Sequence, residues 1–228
     1  MASHLKEFIY LFDIDGTLLQ IKENIIRPML DDILKKYDVH IEDIEGVSLA
    51  GRTDCDIFNT FIDGNDKQTE LFEELKEEYI HTLEQILEEK HIKVFEGVRS
   101  CLDILADSGA HVGLLTGNFK RSGFNKLRIA GIAEYFHFGG FGEHHRNRND
   151  LPSLAFSDYY QYSELEADPS QFIVIGDTPK DIQCAKYGGA RSVAITTGFY
   201  SHKELANHKP DLIIDSLANP EDWVTNLS

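Results

Sequence analysis

Basic residues are scarce in this chain: 22 lysines and arginines stand against 39 aspartates and glutamates in 228 residues, a formal charge of −17. A surface of that sign repels nucleic acid and anionic lipid, so neither is an expected partner. It repels an anionic substrate as well, unless a metal or local cations reverse the sign. Cysteine is sparse too. Cys55, Cys101 and Cys184 are odd in number, far apart and without a C-x-x-C spacing, which argues against a disulfide framework and a structural zinc site. No apolar run approaches the length of a membrane span. The opening Met-Ala-Ser-His-Leu-Lys-Glu lacks the basic-then-apolar order of a secretory signal. A soluble, cytoplasmic protein away from membranes is the expectation.

What is present is ample apolar material, 42% of the residues, enough for one large domain or a core with an insert. Phe8-Ile-Tyr-Leu-Phe12 is a short apolar run that opens into Asp13-Ile-Asp-Gly-Thr17. Similar runs recur at His111–Leu115, Gln171–Ile175, Ser192–Thr196 and Asp211–Asp215. Helical spacing fills the gaps, as at Cys101, Leu102 and Leu105, and at Ile182, Ala185 and Tyr187 before Gly188-Gly189. Buried strands alternating with helices predict an α/β fold, a doubly wound parallel sheet covered on both faces. From Gln20 to Lys93 the rhythm changes. Ile25, Ile26, Met29, Leu30, Ile33, Leu34 and Tyr37 mark one amphipathic helix, and Leu71, Phe72, Leu75, Tyr79, Leu83, Ile86 and Leu87 a longer one. The expected organisation is a core of residues 1–19 and 94–228 with an all-helical insert, 20–93, after the first strand. The insert's many glutamates read as a solvated face.

Polar residues with no part in folding stand at three strand ends: Asp13 and Asp15, then Thr116, then Asp177. In a doubly wound sheet those ends share one edge, where ligands bind. Asp13 and Asp15 are two apart, so in an extended segment they share a face. Like charges packed together raise each other's pKa. A divalent cation with oxygen ligands offsets that cost, and magnesium commonly takes one or two carboxylates with substrate phosphate oxygens. Beside it one carboxylate can attack phosphorus while the other handles the proton of the leaving group. Gly16 permits a sharp turn and Thr17 offers a hydroxyl; Thr116-Gly117-Asn118, opening a helix, presents a hydroxyl and free N–H groups to a phosphate.

Asp13-Ile-Asp-Gly-Thr-Leu18 resembles the first motif of the haloacid dehalogenase superfamily, Leu114-Leu-Thr-Gly-Asn118 its second, and Val174-Ile-Gly-Asp-Thr-Pro-Lys-Asp181 its fourth. The resemblance covers nearly the whole chain and implies a Rossmann-like core with a helical cap. It implies Asp13 as nucleophile, Asp15 as general acid/base and Thr116 as phosphoryl ligand. Magnesium would be held by the carboxylates of Asp13 and Asp177 and the backbone carbonyl of Asp15, with Asp181 in or beside its outer coordination. Phosphoglycolate and sugar-phosphate phosphatases look most similar. The third motif departs: where the family usually has lysine, the segment reads Arg146-Asn-Arg-Asn-Asp150. Arg148 is taken as that cation, with Arg146 the alternative; an arginine would grip phosphate by a planar fork. Gly51-Arg52-Thr53-Asp54 in the insert is a candidate substrate loop, with a helix-entry turn as the plain reading.

The expected activity is therefore magnesium-dependent hydrolysis of a small phosphate monoester through an aspartyl-phosphate. Three competitors remain. A haloacid dehalogenase needs neither metal nor Asp15; a phosphomutase keeps both aspartates but releases little phosphate. A non-enzymatic phospho-acceptor module would lack the large insert. His144-His145 reads as a solvated loop, and Cys184 as buried filler.

Overall fold

The run Ile9-Tyr-Leu-Phe12 is buried at every residue, and a strand of that composition is stable only with partners on both edges and cover on both faces. The computed structural model, which describes residues 2–41, 46–63 and 68–227, gives it both. Strand β1 (Ile9–Phe12) lies between β4 (His111–Thr116) and β6 (Phe172–Gly176), parallel to each. The sheet has six parallel strands in the order β5-β4-β1-β6-β7-β8, with β5 at Gly139–Phe141, β7 at Arg191–Ile195 and β8 at Leu212–Ile214.

Side chains alternate across this sheet as a two-residue period requires. Tyr10, Phe12, Leu114, Ile173 and Ile175 enter one apolar cluster, while Ile9, Leu11, Leu115, Phe172 and Val174 enter another. Helices cover both faces. Helix α5 (Val98–Ser108) contributes Cys101, Leu102 and Leu105 to the first cluster. Helices α7 (Leu151–Ser163) and α8 (Pro179–Gly188) contribute Leu151, Ala155, Cys184 and Ala185 to the second. Helix α6 (Lys120–Ile129) follows β4, α9 (His202–Asn207) follows β7, and α1 (Ala2–Leu5) and α10 (Pro220–Val224) complete the core.

Three strands escape the sequence reading. β5 is two glycines and a phenylalanine, too short and too bare for an apolar run to register. β2 (Leu19–Ile21) and β3 (Ile92–Val94) form a separate antiparallel ribbon. Its middle pair sets Gln20 opposite Lys93, the two residues at which the insert was expected to begin and end. Between the two strands the described chain is helical: α2 (Glu23–Lys36), α3 (Asp54–Ile62) and α4 (Gln68–Ile86). They bury Met29, Leu30, Ile33 and Leu34 from α2, Ile57, Phe58 and Phe61 from α3, and Phe72, Leu75, Tyr79 and Leu83 from α4.

This helical layer sits against the edge where the parallel strands end. Phe58 and Tyr79 pack edge-on against Phe119, ring centroids 5.5 and 6.3 Å away. Lys76 on α4 reaches Glu143 in the loop after β5 at 2.6 Å.

Candidate functional site

Asp13 follows β1 and Asp177 follows β6, so the pairing of Phe12 with Ile175 brings both to one edge. The Asp13 N–H donates to the Ile175 carbonyl at 2.9 Å, which extends the register by one residue. Asp181 lies in the first turn of α8. Oxygen atoms of these three buried carboxylates lie within 4.8 Å of one another. Burial pushes Asp13 up to about 6 against the pull of Arg148, and pushes Asp177 up to about 8 with help from Asp181 and Asp13. The cluster is short of positive charge.

Arg148 supplies part of it. The residue opens the turn before α7 and is buried; its Nη2 lies 3.2 Å from Asp13 Oδ1 and donates to Asp181 Oδ1 at 2.5 Å. Burial opposes the cation, but Asp181 and Asp13 outweigh it and raise its pKa. Arg146, the alternative, is turned outward to Asp63 and Asp56. Of the two arginines, Arg148 meets Asp13.

The backbone is shaped around Asp177. Gly16 has φ +85°, and a Cβ there would strike the Asp177 carboxylate; glycine alone fits on both counts. Thr17 donates to Asp177 Oδ1 at 3.4 Å, and Thr197, after β7, donates to the Gly16 carbonyl at 2.6 Å. Asp181 is differently employed. Its Oδ2 accepts from the N–H and hydroxyl of Thr178 at 3.0 and 2.7 Å, capping α8, while Oδ1 faces Arg148. Asp13 and Asp177 are thus the carboxylates with capacity to spare. Hard oxygen donors, buried like charges and a rigid glycine turn fit a small divalent cation such as magnesium.

Asp15 does not join that triad. Its side chain, 43% exposed, turns across the edge, where Oδ2 accepts from Lys126 Nζ at 2.6 Å and Asn118 Nδ2 at 2.9 Å. Asn118 also donates to Thr116 Oγ1 at 2.8 Å, and its Oδ1 accepts from Lys126 at 2.6 Å. Thr116 lowers the pKa of Asp13, so β4 serves both carboxylates. Lys126 was missed in the sequence, although the signal was there. Phe119, Ser122, Gly123, Lys126 and Ala130 recur on the buried face of α6, and a lysine on such a stripe calls for a charged partner.

The candidate substrate loop divides. Thr53 is the N-cap of α3, accepting from Asp56 N at 3.1 Å and donating to the Arg146 carbonyl; it caps a helix and lies off the cavity wall. Arg52 borders the cavity, yet its guanidinium is occupied by Asp56 at 2.7 Å and Thr60 at 2.6 Å. Asp54, half-buried and near Lys126, is pushed up to about 6, chiefly by desolvation. Its N–H donates to the Gly117 carbonyl at 2.7 Å and its Oδ2 accepts from Phe119 N at 2.8 Å, stitching α3 to the loop after β4. Gly117 makes this possible, since a Cβ there would fall on the Arg52 carbonyl oxygen. His145 lies 3.6 Å from Asp150, and Cys184 is buried on α8 with its thiol pushed up to about 12 by burial.

The acid cluster has a measurable signature without any substrate. In the unfolded chain Asp13 and Asp177 return to 3.8; folded, they hold protons up to about 6 and about 8. Across that window the native state binds more protons, so stability falls as pH rises. The melting temperature of cation-free protein is expected to drop from about pH 5 to about pH 8. Magnesium should raise it more at the upper pH, where both carboxylates are ionised and bind a cation more tightly, and tighter binding to the native state stabilises it more. A profile unchanged by magnesium at either pH would remove the case for a cation here.

A family model described as haloacid dehalogenase-like hydrolase matches residues 10–195 of this chain. A pyrophosphatase PpaX of Bacillus pumilus is 22% identical over 92% of this chain and 92% of its own. A phosphoglycolate phosphatase of Pseudomonas syringae is 24% identical over 92% of this chain and 76% of its own. Among solved structures, a predicted phosphoglycolate phosphatase from Haemophilus somnus superposes with a TM-score of 0.71 at 21% identity, covering 95% of this chain and 98% of that one. That likeness shows a shared fold.

Proposed function

The chain belongs to the haloacid dehalogenase-like hydrolases, and from that premise we propose that it hydrolyses a small phosphate monoester, with Asp13 as nucleophile. The observation that carries this reading is the meeting of Asp13, Asp177 and Arg148 with a separately held Asp15 at one cavity.

Asp13 attacks phosphorus while the bond to the ester oxygen breaks, and the departing alkoxide takes a proton from Asp15. Water then attacks the aspartyl-phosphate, gives its proton to Asp15 and frees inorganic phosphate as the bond to Asp13 breaks. Asp13, Asp177 and the Asp15 carbonyl would hold magnesium, which supplies positive charge for the phosphoryl oxygens. Arg148 adds to it: its Nε is buried without a hydrogen-bond partner among the described residues and the residue borders the cavity, so a phosphoryl oxygen would complete it. Gly117 and Asn118 border the cavity, and with the Thr116 hydroxyl their N–H groups would bind the same phosphoryl group. The helices α2–α4, closed off by the β2–β3 ribbon, act as the cap that limits water at the reacting centre.

Lys126 and Asn118 hold one oxygen of Asp15 and leave the other for the ester oxygen. The reading is tested by phosphate release, with and without magnesium, from an alkyl phosphate and from nitrophenyl phosphate. Both are expected to be hydrolysed only with magnesium. Lys126→Met should then cost roughly a hundredfold on the alkyl ester, whose leaving group needs a proton, and less than about tenfold on the nitrophenyl ester. Equal losses would show that Lys126 does not serve Asp15. With a sugar phosphate as a further substrate, isomerised product without free phosphate would favour a mutase.

A further inference from the structure

The cavity at this site is large for the smallest phosphate esters. It measures about 950 Å³, near the top of the range of about 300–1,000 Å³ that encloses drug-sized ligands. A two-carbon acid attached to the phosphate would leave most of that space to water.

Its walls are apolar away from the aspartates. Ile26 from α2, Leu49, and Ile57 and Phe58 from α3 line it together with Phe95 and Phe199. Phe58 is fixed in place by edge contacts with Tyr79 at 5.3 Å and Phe119 at 5.5 Å. Phe199, in the loop after β7, is 75% exposed. Its ring is therefore open to solvent at the cavity wall and available to pack on a bound group.

Most of the cations on these walls are already engaged. Arg52 is held by Asp56, and Arg27 donates to the Val47 carbonyl at 2.9 Å. Lys126 is held by Asp15, and Arg148 by Asp13 and Asp181. The remaining lining cation among the described residues, Lys22, is exposed and adjoins Glu23. Asp31 and Asp54 line the same cavity. Apart from the solvent-exposed Lys22, a carboxylate on the leaving group would meet acids and engaged bases, and would lose its water without a partner.

We propose that the alcohol released by this enzyme is uncharged and carries a flat apolar or heteroaromatic ring that packs between the aliphatic wall and Phe199. The inference rests on the phosphatase reading above and narrows it. Binding energy from the ring, remote from phosphorus, would position the ester for attack.

The test compares kcat/KM, with magnesium, for four esters that all expel a primary alkoxide: phenylethyl phosphate, a nucleoside monophosphate, glycerol phosphate and phosphoglycolate. Matched leaving groups leave recognition as the variable. At least one ring-bearing ester is expected to exceed phosphoglycolate on the order of thirtyfold, the worth of burying one ring. Phe199→Ala, an exposed position that leaves the core intact, should shrink that ratio severalfold. Phosphoglycolate or glycerol phosphate equal to or better than both ring-bearing esters would overturn the inference and leave the phosphatase reading standing. So would an unchanged ratio in Phe199→Ala. No phosphate from any ester, nitrophenyl phosphate included, would remove both.

Discussion

Asp13→Asn is expected to lower phosphate release by roughly ten-thousandfold or more, as the loss of a nucleophile does. Asparagine keeps the shape and cannot form the acyl phosphate. The same substitution removes one of three buried acids whose oxygens lie within 4.8 Å. In cation-free buffer its melting temperature should therefore hold level or rise. Inactive and no less stable is a combination that misfolding cannot produce. Full turnover in Asp13→Asn would end the assignment, and phosphate released through Asp15 alone would need another chemistry.

Arg148→Met should be damaging in both respects. The guanidinium is 5% exposed and stands between Asp13 and Asp181. Its loss leaves a buried carboxylate pair without a cation, a change that costs about 3–5 kcal/mol when one partner of a buried pair is removed. Urea unfolding without magnesium should show a loss of that size, and hydrolysis should fall with it. Arg148→Lys restores a charge but not the planar fork, so it should recover part of the stability and little of the rate. If Arg148→Met unfolds at the wild-type midpoint, the arginine is not what holds the acids together.

Much of this arrangement was legible because it depends on strands. The apolar runs at 8–12, 111–115 and 171–175 announce β1, β4 and β6, and parallel strands carry whatever follows them to one edge. Asp13, Thr116 and Asp177 needed no further information to be placed together. What the sequence hid depends on contacts between elements. Gly139-Gly-Phe141 is a strand only because β4 offers it a ladder, with Leu114 opposite Gly139. Thr53 reads equally as substrate ligand or helix cap until Asp56 N is seen to occupy its hydroxyl. Lys126 lies ten residues beyond Thr116 at the end of β4, yet the buried face of α6 brings it to Asp15 across the site. Asp15 itself stands two residues from Asp13 and serves a different group, because Lys126 and Asn118 hold its carboxylate away from the acid cluster. Spacing names the candidates, and packing divides their roles.

The strand order has a consequence for how the molecule is made. β1 is synthesised first, yet Ile9 pairs with His111 on one side and Phe172 on the other. About half of these 228 residues must therefore be delivered before the central strand acquires its first neighbour, and about three-quarters before it acquires the second. Contacts so distant along the chain slow folding, and an apolar segment that waits for partners is exposed to aggregation in the interval. The helices of α2–α4, whose contacts are mostly with one another in sequence, can form early and keep the nascent chain occupied until β4 arrives.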